Sequence, residues 1–155
     1  MKKLISKISP NIIKYALNIW TPYSGAGIKI EYIKKDWKEM KVSMKLHFYN
    51  RNIMNTHFGG SLYSMIDPHI MLMLMKLLGE KYVVWDKSAE IDFIKPGKGK
   101  VYSIINISDD VLSEIKEKTT NGEKYLPKFY INILDENKNI ISKVTKTLYI
   151  RKKRR

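Results

Sequence analysis

Apolar side chains recur every three or four positions at the start of the chain: Leu4, Ile5, Ile8, Ile12, Ile13, Ala16, Leu17 and Trp20, with Lys3, Lys7 and Lys14 on the other side. This spacing predicts a basic amphipathic helix, broken near Pro10 and ended by Thr21-Pro22-Tyr23-Ser24-Gly25. The period then changes to two. Ile28, Ile30 and Tyr32 alternate with Lys29 and Glu31, and Met40, Val42, Met44, Leu46 and Phe48 alternate with Lys41, Ser43, Lys45 and His47. Both runs predict strands with one buried face, joined by a turn at Lys34-Lys35-Asp36.

The stretch from Gly59 to Leu78 has almost no polar side and predicts one helix buried all round, stopped by Gly79. About four strands follow. Ala89, Ile91 and Phe93 mark the first, ahead of a turn at Pro96-Gly97. Val101 to Ile107 makes the second, and Phe129, Ile131 and Ile133 the third. Ile140, Val144, Leu148 and Ile150 mark the last. A short helix capped by Asp109-Asp110 runs through Lys118. The order predicts an α+β class in which an antiparallel sheet wraps around one central buried helix. Residues 1–22 form the extra N-terminal amphipathic helix, residues 23–151 one domain, and residues 152–155 a basic tail expected to be disordered. One sheet cannot cover every side of such a helix, so a second subunit is expected.

Composition narrows the chemistry. The 155 residues contain no cysteine, which excludes disulfides, thiolate metal sites and a cysteine nucleophile. The net charge of +14 attracts polyanions, although lysines alternating with apolar residues on strands also read as a solvated face. Lys7, Pro10 and Lys14 interrupt what would otherwise imitate a secretory leader, and a cytoplasmic protein is expected. His47, His57 and His69 lack partners at metal-ligand spacing, so no metal site is expected.

The chemically informative segment is Arg51 to Ser61, running into the helix that carries Asp67. Gly59 and Gly60 at a helix start leave room for a close approach to backbone N–H groups, a natural oxyanion site. A carboxylate at Asp67, on an otherwise apolar helix, is expected to be desolvated and so raised in pKa and basicity. Together these are the requirements of ester or thioester hydrolysis. The alternatives are tight packing at the glycines and an N-cap role for Asp67 ahead of Pro68. Ser64, one turn before Asp67, is a candidate hydrogen-bond partner or substrate contact, with helix filling as the alternative. Lys95, Lys98 and Lys100 concentrate positive charge in one turn and are candidates for holding the phosphates of a ligand, with a solvated hairpin as the alternative.

These residues resemble those of hotdog-fold acyl-CoA thioesterases, especially the phenylacetate-pathway type and a related uncharacterised branch. That type carries an Asn, a Gly and then His-Gly-Gly at the start of its central helix, with an acid nine positions after the His. Setting Gly59-Gly60 on its glycine pair places Asn52 on the Asn, Asp67 on the acid, Asn55 on the Gly and Phe58 on the His, with His57 one residue earlier. Ser88 to Gly97 resembles the strand after the helix. The resemblance implies a homodimer or tetramer whose sheets join edge to edge, with an acyl-CoA or acyl-carrier thioester between subunits. It implies a backbone N–H near Gly59 or Gly60 polarising the carbonyl, and Asp67 activating water or attacking directly. Asn52 and His57 join the catalytic set and Phe58 the substrate contacts. Coenzyme A enters only as part of the substrate, so no separate cofactor is expected. A non-catalytic acyl-thioester-binding protein is the runner-up. A nucleic-acid or membrane-surface protein, the latter through the N-terminal helix, ranks third, because no element carries an aromatic-basic stripe.

Overall fold

The computed structural model describes residues 8–154. Lys3, Leu4, Ile5 and Lys7, which belong to the expected N-terminal helix, lie outside them. Helix α1 spans Pro10–Ile19, with Pro10 in its first turn and the Ser9 hydroxyl accepting from the Ile12 N–H. Proline fits there because it has no N–H to lose and its φ is already helical. Thr21-Pro22 does not end the helical region, as the sequence suggested. It opens a second short helix, α2 (Thr21–Ala26), which closes at Gly27 with φ 73°.

Strands β1 (Ile28–Ile33) and β2 (Glu39–Lys45) form the expected antiparallel pair. The apolar stretch is two helices rather than one: α3 (Gly59–Ser64) and α4 (His69–Leu78). Pro68, which lacks an N–H and clashes with the preceding turn, breaks it. Then come β3 (Tyr82–Phe93), β4 (Lys100–Asn106), α5 (Asp109–Lys118), β5 (Lys124–Tyr125), β6 (Lys128–Asp135) and β7 (Ile140–Lys152). Helix α5 is capped by the Ser108 side chain, with Asp109 and Asp110 in its first turn. The C-terminal basic segment is not a free tail from residue 152: Arg151 pairs with Val83 and Lys124, and Lys152 with Tyr82.

The strands form one antiparallel sheet in the order β1-β2-β4-β6-β7-β3, with β5 also on β7. Its inward positions, among them Ile30, Met40, Val42, Val101, Ile105, Ile133, Val144 and Leu148, bury against Leu62, Met65, Ile66, Ile70, Met73 and Leu74 of the broken helix. Each such side chain contributes about 2 kcal/mol by leaving water. Met71, Leu72, Met75 and Leu77 stay half-exposed in one chain. Helix α1 lies against β1, where the Asn18 side chain accepts from the Ile30 N–H at 2.7 Å and donates to the Ile30 carbonyl at 3.1 Å. Its outer positions Ile12, Tyr15 and Ile19 are exposed, so its apolar side is only partly used in docking.

Candidate active site

The loop before α3 is a rigid support built by asparagines. The Asn50 amide donates to the Ala26 and Lys45 carbonyls and its oxygen accepts from the His47 N–H. The Asn52 oxygen accepts from the N–H groups of Met54 and Thr56, and its amide donates to the Thr56 hydroxyl at 2.9 Å. Asn52 therefore folds the loop. Asn55 has φ 57°. That left-handed conformation favours glycine and tolerates asparagine best among other residues. His57 is buried: its N–H donates to the Gly97 carbonyl and its Nε2 meets the Gly99 carbonyl at 3.0 Å. Burial lowers its pKa and the Gly99 contact only partly offsets this. His57 thus ties the loop to the turn after β3.

Phe58 is exposed and precedes α3 in an extended conformation, and no side chain caps the helix. Its first N–H groups have no intrahelical partner. Both glycines lie under exposed aromatic rings, which a side chain there would push aside. A Cβ on Gly59 would lie 2.9 Å from the Phe93 ring, and one on Gly60 would lie 2.5 Å from Phe58. The Ser64 hydroxyl donates back to the Gly60 carbonyl at 2.9 Å, so Ser64 does not reach Asp67.

Asp67 sits in the break between α3 and α4. It is not a cap: Pro68 holds that position, and no side chain accepts from the first turn of α4. The Tyr63 hydroxyl donates to Asp67 Oδ1 at 2.6 Å, and Lys146 Nζ donates to the same oxygen at 3.1 Å and to the Asp67 backbone carbonyl. Lys146 has no solvent exposure and also pairs with Asp86 Oδ1 at 2.7 Å. Its ammonium lies 5.8 Å from the centre of the Tyr63 ring. The Asp67 side chain keeps 47 % exposure. Partial burial raises its pKa, but the Tyr63 hydroxyl and the Lys146 charge outweigh this, so its carboxyl lies below the usual range. The sequence-based expectation of a desolvated, raised acid is corrected: a buried cation faces it. Tyr63 is pushed up by burial and by Asp67. One layer away, His69 is fully buried, meets the Tyr23 hydroxyl at 3.2 Å, and is lowered to about 4 by burial.

Two hollows meet at Phe93. One, of about 620 Å³, is lined by Asn52, Met54, His57, Phe93, Lys95 and Lys98, among others. The other, of about 370 Å³, lies over Gly59, Gly60, Tyr63, Ala89, Glu90, Ile91 and Phe93. Lys100 does not join its neighbours: it pairs with Glu31 on another part of the sheet, where Lys14, Lys29 and Lys45 line a separate hollow. The residues the sequence reading missed are Tyr63, Asp86 and Lys146. Lys146 has a signal, since it shares the inward register of Val144 and Leu148 on β7.

The sheet wrapped on a central broken helix, with the site at that helix, is the hotdog fold. Residues 10–150 match the family described as a domain of unknown function, DUF4442, and the chain belongs to that family. Solved structures share the fold at low identity. A Pseudomonas aeruginosa protein of unknown function, described as a probable thioesterase, is 11 % identical with a TM-score of 0.81, over 92 % of this chain and 95 % of the other. A Haemophilus influenzae thioesterase is 15 % identical with a TM-score of 0.67, over 94 % and 92 %. A variant of the phenylacetic acid degradation protein of Thermus thermophilus is 16 % identical with a TM-score of 0.55, over 81 % and 95 %. No curated protein matches the sequence. Among the described residues, no helix is long and apolar enough to cross a membrane.

Proposed function

We propose that the protein hydrolyses an acyl-CoA or acyl-carrier thioester, at a site completed by a second copy of the chain. The observation that carries this reading is Asp67: an ionised, half-open carboxylate in the break of the central helix, bound by Tyr63, a residue that also lines the hollow over Gly59 and Gly60. Asp67 takes a proton from water as the water oxygen bonds to the thioester carbon. The charge arriving on the carbonyl oxygen meets the N–H groups of Gly59 or Gly60, where the helix dipole adds to the attraction. The tetrahedral adduct collapses, the C–S bond breaks, and the thiolate recovers the proton from Asp67, giving an acid and a thiol. Lys95 and Lys98, on the larger hollow, suit the phosphates of the CoA or carrier arm.

The assembly is proposed as a homodimer or tetramer joined through β3. Among the described residues this strand pairs only with β7, forms one end of the sheet and exposes Phe93. Light scattering that finds a monomer at micromolar concentration would overturn this part.

A binding protein without turnover is the second reading, favoured by one observation: the pairing with Lys146 weakens Asp67 as a base. Release of free thiol from a panel of short, long and aromatic acyl-CoAs separates the two. Turnover of any member above background supports the enzyme. Saturable binding of the same panel without thiol release supports the binding protein.

A further inference from the structure

A lysine with no solvent exposure on the inward face of a strand is costly unless its charge is met. Lys146 stands where β7 would otherwise carry an apolar residue between Val144 and Leu148. Its charge is met at the helix break by Asp67 Oδ1 and the Asp67 carbonyl, and on β3 by Asp86 Oδ1. The titratable groups around Asp67 come from five elements: Tyr23 on α2, Tyr63 on α3, His69 on α4, Asp86 on β3 and Lys146 on β7. Two of these, Tyr63 and Lys146, bond the carboxylate, and both take Oδ1. Among the described residues nothing bonds Oδ2.

Resting on the thioesterase reading, we propose that Lys146 is the positioning residue of the site: it holds the Asp67 carboxylate by Oδ1 and by the adjacent backbone carbonyl, so that Oδ2 is the oxygen presented to water and substrate. Asp86 tunes this hold by competing for the same ammonium. Lys146 and Asp86 thus act on Asp67 in opposite directions. Removing the cation leaves Asp67 beside a second carboxylate and makes it harder to ionise. Removing Asp86 gives Lys146 wholly to Asp67 and makes it easier to ionise.

The test compares wild type, Lys146→Met and Asp86→Asn. Titration of the Asp67 carboxyl carbon by NMR reads the site without any turnover. We expect the midpoint to rise by about one pH unit or more in Lys146→Met and to fall in Asp86→Asn. With a hydrolysed acyl-CoA in hand, the acid limb of kcat/KM moves the same two ways, and kcat of Lys146→Met falls about tenfold or more at neutral pH. A lysine that only braces the fold would lower the melting temperature of Lys146→Met yet leave kcat of the folded variant within about twofold of wild type, and that result, or midpoints that stay in place, overturns the proposal. If Lys146→Met does not fold, an Asp67 midpoint in Asp86→Asn that is unchanged or raised overturns it alone. Opposite shifts in the titration with no thiol released by wild type would sink the thioesterase reading while leaving the role of Lys146 standing.

Discussion

The Tyr63 hydroxyl donates a hydrogen bond to the Asp67 carboxylate at 2.6 Å, four residues along the chain, and Tyr63 also lines the hollow over Gly59 and Gly60. A bond to a charged acceptor is worth about 1.5–3 kcal/mol when buried, and less here because Asp67 is half-exposed. Tyr63→Phe keeps the ring and removes the bond. The expected result is a melting temperature lower by a few degrees and turnover lower by about tenfold. An unchanged kcat in a folded variant would detach Tyr63 from the chemistry.

Asp67→Asn is the sharper change. Since Pro68, not Asp67, stands at the start of α4, the substitution costs no cap. It does take one of two carboxylates from Lys146. Turnover is expected to fall by about a hundredfold or more. The loss of stability is expected to be modest, because Asp86 still meets the ammonium. Thiol release and melting measured on one preparation check both parts.

The lysines of the 95–100 turn divide into two groups. Lys98→Glu is expected to raise the Kd for coenzyme A by about tenfold at low salt, with the effect shrinking as salt screens it. Lys100→Glu breaks its pair with Glu31 on a different face and is expected to leave that Kd within about twofold. Calorimetric titration at two ionic strengths decides the matter, and equal effects from both lysines would contradict the placement.

Acid weakens the fold through His69. Its folded pKa, about 4, lies below the ordinary value of 6.5, so the unfolded chain binds the proton first. The contribution is complete above pH 6.5 and is lost as pH falls towards 4, amounting to about 3 kcal/mol. Asp67, lowered rather than raised, adds a loss of the same sign below the ordinary aspartate range. Scanning calorimetry from pH 7 to 4 should show falling melting temperatures, and His69→Gln should flatten that slope.

The sequence carried the fold because its periods are clean: β2 alternates over its whole length, and the mostly apolar run from Leu62 to Leu78 has few places to go but the core. What it hid has local causes. The break in the central helix is marked only by Asp67-Pro68, and the apolar runs on either side of that pair read as one helix. His57 looked like a stand-in for a catalytic histidine, but its ring is committed to the Gly99 carbonyl 42 positions ahead. Lys146 lies 79 positions from Asp67, and only strand register places the two together. The reversed pKa of Asp67 follows from that long-range pair.

Asn18 bonds both the N–H and the carbonyl of Ile30 in the middle of β1, so that end of the sheet offers no continuous row of donors and acceptors to another chain. Among the described residues, the opposite end, β3, pairs on one side only, with β7. In the proposed assembly two copies join strand to strand, β3 against β3. Such a junction uses the same surface on both copies and covers the β3 edge of each, so growth through that edge stops at a two-fold pair.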